Sequence, residues 1–176
     1  MDPVKSSDEL SKPAPAAPPA APAPAPYHWN RAMDAALDEA RAALDSGDVP
    51  VGAVVLDADG AIVARGRNMR ERHLDPSSHA EVEALRAAAR ALGRWNLDGC
   101  TLVVTLEPCP MCAGAAVSAH VSRIVFGAWD AKMGACGSVW DIPRDPHVGA
   151  FPEVYGGVRG EECSRLLRAS FRTLRS

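Results

Sequence analysis

No stretch of this 176-residue sequence approaches the ~20 consecutive apolar residues of a membrane helix, so a membrane-spanning role is not expected. The first residues lack a basic start followed by an apolar run, and no signal peptide is read there. Basic charge is not in excess either. Nineteen Lys and Arg face 22 Asp and Glu, a net charge of −3. A strongly basic balance would point to nucleic acid by itself; here any such role must rest on local patches. A secreted disulfide framework is also missing. The cysteines number five (Cys100, Cys109, Cys112, Cys136 and Cys163), an odd count with one tight pair. That usage fits a reducing cytoplasm and one metal site. There is no second C-x-x-C and no H-x(3–5)-H, so a closed four-ligand zinc finger is poorly supported.

What is present falls into two parts. Residues 1–26 include "KPAPAAPPAAPAPAP". Such a run lacks the large apolar side chains needed to offset ordering entropy, and a disordered tail of polyproline II character is expected. Residues 27–176 are expected to form one domain. "WNRAMDAALDEARAAL" carries Trp29, Met33, Ala36, Leu37, Ala40 and Leu44 at helical spacing. "VPVGAVVLDADGAIVARG" reads as two strands joined by a hairpin-type turn at residues 57–60. A polar loop over 67–78 leads to a helix starting near His79. "TLVVTL" is a continuous apolar strand of the kind buried on both faces. A short helix after Pro108, the strand "VSRIVFGA", a Gly- and Pro-rich loop over 129–150, a short strand in "PEVYGGV" and a helix over 161–174 complete the pattern. The alternation predicts an α/β fold, a mixed sheet of about five strands with helices on both faces.

Three residues then stand together. In "LEPCPMC", Cys109 and Cys112 are three apart. With a helix beginning at Pro110 or just before, a favoured place for Pro, both sulfurs project from its first turn. The helix N-terminus favours the thiolate that a metal requires. His79 is the natural third ligand. Three protein ligands leave the fourth zinc position open, which marks catalytic zinc. Glu81, two residues on, points about 200° away along the helix. Both side chains can still reach a metal lying over the helix end, with the carboxylate beside the ion and not bound to it. Zinc lowers the pKa of water to ~7, and the glutamate can carry the protons. H-x-E followed by P-C-x-x-C is the general signature of zinc nucleobase deaminases.

From about Tyr27 to Ser176 the chain resembles the bacterial tRNA adenosine deaminases, which convert the wobble adenosine of an anticodon to inosine. The resemblance is carried by "VPVGAVV", Asn68, "DPSSHAE", "TLEPCPMCAGA", "FGAWDAKMGACGS" and the "EEC" opening the last helix. It implies a cytidine-deaminase-like three-layer α/β/α sandwich, a homodimer and one zinc ion per subunit held by His79, Cys109 and Cys112. Glu81 would shuttle protons while water attacks C6 of adenine. Asn68 and the backbone at Ala80 would hold the base, the Pro108 carbonyl would face the leaving amine, and Asp130 would contact the nucleic-acid backbone. Val51 joins the expected substrate-binding set. Two places depart from the family pattern: Trp129, where a smaller or charged residue is expected, and residues 149–152, Gly-Ala-Phe-Pro, which replace an Asn-His pair. Both lie where RNA should pass.

Phosphate contacts need Arg or Lys. Arg165, Arg168, Arg172 and Arg175 fall on one stripe of the last helix, opposite Leu167, Phe171 and Leu174. With Lys132, Arg165, Arg168 and Arg172 form the expected RNA-backbone set. A second group, Arg65, Arg67, Arg70 and Arg72, brackets Asn68. The expected partner is a tRNA anticodon stem–loop, whose unpaired bases splay out without breaking a duplex. The alternatives are a deaminase of a free nucleobase or nucleoside, of guanine or cytosine type, and a non-catalytic zinc-stabilised RNA-binding domain.

Overall fold

A computed structural model of the chain describes residues 27–149 and 152–173, with side chains over 29–149 and 152–170. The Pro/Ala tail, residues 150 and 151, and the side chains of Phe171, Arg172, Leu174 and Arg175 lie outside them. Five strands form one sheet in the order β2-β1-β3-β4-β5. They are β1 (Gly52–Leu56), β2 (Ile62–Arg67), β3 (Thr101–Leu106), β4 (Arg123–Ala128) and β5 (Glu153–Tyr155). The β1 strand pairs antiparallel with both β2 and β3, whereas β3, β4 and β5 run parallel. The mixed sheet expected from the sequence is therefore present.

The helices lie on both faces. On one face pack α1 (Tyr27–Ala43) and α5 (Gly160–Thr173), through Met33, Leu37 and Cys163 against Val54, Val103 and Val125. On the other lie α3 (Ala80–Leu92) and α4 (Pro110–Ser118), through Ala84, Leu85 and Ala116 against Val55, Leu102 and Phe126. Every residue of β1 is buried, as the unbroken apolar runs require of strands covered on both faces. Residues 70–73 of the expected polar loop form a single turn, α2 (Arg70–His73), and a 3-10 turn (Ile142–Arg144) interrupts the expected loop over 129–150.

Two glycines set how closely the helices approach. A Cβ at Gly52 would meet the α1 backbone, 2.1 Å from Ala36 O and 2.4 Å from Ala40 N. A Cβ at Gly66 would lie 2.4 Å from both Ala80 O and Ala84 N of α3. The sheet backbone thus touches a helix on each face, and Gly66 sets the height of the very turn that bears His79 and Glu81.

Candidate active site

The site forms where α3 and α4 begin. His79 is the N-cap of α3 and Cys109 the N-cap of α4, both in extended backbone. Ser, Thr, Asp or Asn usually occupies that position and caps the free N–H groups, at about 1 kcal/mol each. Neither residue makes a side-chain cap bond. Both side chains turn to each other instead. His79 Nδ1 stands 3.7 Å from Cys109 Sγ and 3.4 Å from Cys112 Sγ. Pro110 opens α4 and Cys112 follows within its first turn, as the spacing predicts.

These distances test whether zinc fits. Tetrahedral zinc, with bonds of about 2.3 Å to sulfur and about 2.05 Å to nitrogen, separates N from S by about 3.6 Å. The two observed separations bracket that value. Among the described residues the group consists of His79, Cys109 and Cys112, whose donor atoms all lie within 4.8 Å of one another. One imidazole and two thiols can therefore hold zinc, and a three-donor set leaves a fourth position for another ligand.

Glu81 is buried in the first turn of α3. Burial pushes its carboxyl up to about 7, helped by the negative charge of Cys109. The Cys109, His79 and Cys112 groups all act on its carboxyl, which lies beside the three donors and not among them. Hydrogen bonding from Cys112 holds the Cys109 thiol down to about 4, with His79 adding to it. The same Cys109 contact raises the His79 imidazole.

The other expected residues are distributed as follows. Asn68, just after β2, is buried, and its Oδ1 has no hydrogen-bond partner. Its N–H donates to the Val51 carbonyl at 3.0 Å, so those two residues adjoin. Ala80 is fully buried at the head of α3, where first-turn N–H groups have no intrahelical partner. The Pro108 carbonyl accepts the Ala135 N–H at 2.8 Å, leaving one of its two lone pairs for another donor. Asp130 Oδ1 accepts the Lys132 N–H at 2.9 Å, and the Lys132 side chain is exposed. Arg165 and Arg168 are exposed on α5, Arg168 standing 3.9 Å from Glu161. The arginines bracketing Asn68 do not act as one group. Arg65 and Arg67 lie 4.0 and 3.2 Å from Glu39 of α1. Alternation along β2 sends them to the opposite layer from α3.

Sequence reasoning missed Glu107. It is fully buried, and its carboxylate collects three backbone N–H groups of the following loop. Oε1 accepts from Cys136 and Ser138, and Oε2 from Asp130, each at 3.0 Å. Gly134 sits so close that a Cβ there would lie 2.2 Å from Oε2. The signal was a charged residue ending a strand that is otherwise apolar.

A family model for the cytidine and deoxycytidylate deaminase zinc-binding region matches residues 27–128. Over 143 residues the chain is 46% identical to the tRNA-specific adenosine deaminase of Bacillus subtilis, covering 81% of this chain and 88% of that one. The chain belongs to the zinc-binding deaminases, in the tRNA-specific adenosine deaminase family. The chain is also 54% identical over 144 residues to a Deinococcus deserti protein named tRNA(Ile)-lysidine synthase, covering 82% of this chain and 27% of that protein. It spans about a quarter of the length of its two Deinococcus relatives. Its fold matches a solved structure from a study of A-to-I editing by tRNA:A34 deaminases at the wobble position of transfer RNA. That match has a TM-score of 0.75 at 40% identity, covering 78% of this chain and 99% of that one. The cytidine-deaminase-like sandwich expected from the sequence is thus the fold of this chain. Among the described residues no helix is long and apolar enough to cross a membrane.

Proposed function

We propose that this deaminase hydrolyses adenosine to inosine at the wobble position of a tRNA anticodon. One observation carries the reading: a three-donor metal group lies against the buried carboxylate of Glu81. His79, Cys109 and Cys112 would hold one zinc ion per subunit, which supplies Lewis acidity and a water pKa lowered to about 7. Glu81 accepts a proton from the water attacking C6 of adenine and delivers it to N1. Glu81 then takes the proton of the new C6 hydroxyl and passes it to the departing amine as the C6–N6 bond breaks. Water oxygen stays on C6 as the inosine carbonyl, and nitrogen leaves as ammonia. Asn68 Oδ1, buried without a partner, accepts an N–H from the bound nucleoside. An unfilled buried acceptor is costly, so the free site favours a ligand that donates there. Ala80, Val51, Pro108 and Asp130 complete the substrate contacts, and Lys132, Arg165, Arg168 and Arg172 the RNA-backbone contacts.

The tRNA-specific relatives support RNA over a free base. Resemblance to the same family supports a cytoplasmic homodimer. The test incubates the zinc-loaded protein with an arginine-tRNA anticodon stem–loop, adenosine, cytosine and guanine, and measures ammonia and inosine. Inosine is expected in the stem–loop. Glu81→Ala is expected to keep zinc and fold but lose at least about a hundredfold in rate. Undiminished turnover in that variant removes the proton-shuttle role, and turnover of guanine or cytosine alone removes the tRNA reading.

A further inference from the structure

The buried carboxylate of Glu107 takes no part in the steps above, yet it stands next to them in the chain. It directly follows β3 and precedes Pro108 and the metal donor Cys109. Among the described residues it has no ion-pair partner, and its charge is met by the N–H groups of Asp130, Cys136 and Ser138. Burying a charge is costly unless it is well hydrogen-bonded. Here both oxygens accept, which an amide side chain cannot do because one of its two atoms donates.

The loop so gripped reaches back to the site. Ala135 lies within it, fully buried. Its N–H donates to the Pro108 carbonyl at 2.8 Å, and its own carbonyl accepts the Ile142 N–H at 3.0 Å. On one side Cys136 is tied to Oε1 of Glu107 at 3.0 Å; on the other Gly134 donates its N–H to the Asp130 carbonyl at 3.0 Å. Ala135 therefore cannot shift without breaking one of these bonds. A carbonyl oxygen has two lone pairs. With Ala135 fixed, one lone pair of Pro108 is committed and the other is left in a set place. Glu107 thus holds the loop that holds the carbonyl of its own neighbour. The Cys136 thiol stands in the same surroundings: burial pushes it up, and the charges of Glu107 and Glu81 add to the effect.

We propose that Glu107 is a positioning residue for amine departure: through Ala135 it fixes the Pro108 carbonyl that accepts an N–H of the leaving group. The inference rests on the adenosine reading of the site, and two arginine-tRNA anticodon stem–loops separate the two. One carries adenosine at the wobble position, the other 6-chloropurine riboside. Both give inosine. In the second, water oxygen bonds to C6, chloride leaves with the electron pair of the C6–Cl bond, and the hydroxyl proton passes to solvent. No N–H then meets Pro108. The rate constant kcat is measured for the zinc-loaded full chain, for Glu107→Gln and for Gly134→Ala, whose Cβ would lie 2.2 Å from Oε2 and crowd the carboxylate. Thermal melts and zinc content confirm the fold of each variant. Both variants are expected to lose about tenfold in kcat on adenosine, the effect of one misplaced hydrogen bond in the transition state, and to keep kcat on the chloro substrate. A merely structural role lowers both alike, and any weaker grip on RNA through Asp130 also falls on both. Equal losses on the two stem–loops, or no loss on adenosine, overturn the positioning role and leave the adenosine reading standing. A wild type that edits neither stem–loop overturns both.

Discussion

Gly66 offers the sharpest test of how the fold sets the site. An alanine there places Cβ 2.4 Å from Ala80 O and Ala84 N, and 3.0 Å from Ala84 Cα. All three are backbone atoms of α3, so no side chain can swing away. Ordinary contact requires a retreat of about 1 Å. Overpacking of this kind costs about 1–3 kcal/mol, which lowers the melting temperature of a domain this size by about 3–10 °C. The retreating turn carries His79 and Glu81, and a zinc site tolerates only about 0.2 Å in its ligand distances. Were β2 to move instead, it would carry Asn68 with it. Gly66→Ala is thus expected to lose stability, zinc occupancy and activity together. Gly52→Ala is the control. Its Cβ strikes α1 at 2.1 Å, a helix that bears no metal donor. That variant should melt early yet bind zinc normally below its melt. Metal analysis on gel-filtered protein and scanning calorimetry read both quantities. A Gly66→Ala protein with full zinc and an unchanged melt would show that the α3 approach does not position the ligands.

Two further outcomes follow from buried groups. Glu107→Gln sets an amide N–H₂ against the N–H of Asp130 or against those of Cys136 and Ser138. It should cost about 2 kcal/mol and raise hydrogen exchange over residues 130–138, read by mass spectrometry; unchanged exchange there would rule out the anchoring role. Burial pushes the Cys163 thiol up to about 11, against about 8.5 in an unfolded chain. The fold favours the neutral thiol, so stability falls as pH rises from about 8.5 through about 11. Urea unfolding should follow that decline, and Cys163→Ala should flatten it; an equal slope in both proteins would mean another group titrates.

The sequence showed most of the strands because Val and Leu runs covered on both faces leave little ambiguity. The start of α3 beside His79 and of α4 beside Cys109 was legible for a different reason: Ser-Ser and Pro mark those boundaries. The grouping of His79, Cys109 and Cys112 followed from their spacing to those boundaries. Glu107 did not, because its three partners are backbone N–H groups brought near only by the loop's path. Arg65 and Arg67 misled for a related reason. Neighbours of Asn68 in sequence, they pair with Glu39 across the sheet, and only the pairing of β2 with β1 decides which layer each faces.

Residues 130–138 are attached through a single carboxylate, that of Glu107. The anchor grips main-chain amides, which every amino acid other than proline provides. Ala131, Lys132, Met133, Val139 and Trp140 around it point into solvent. Natural variation or a designer can therefore rewrite this rim, one side chain at a time, while the main chain beneath keeps its path.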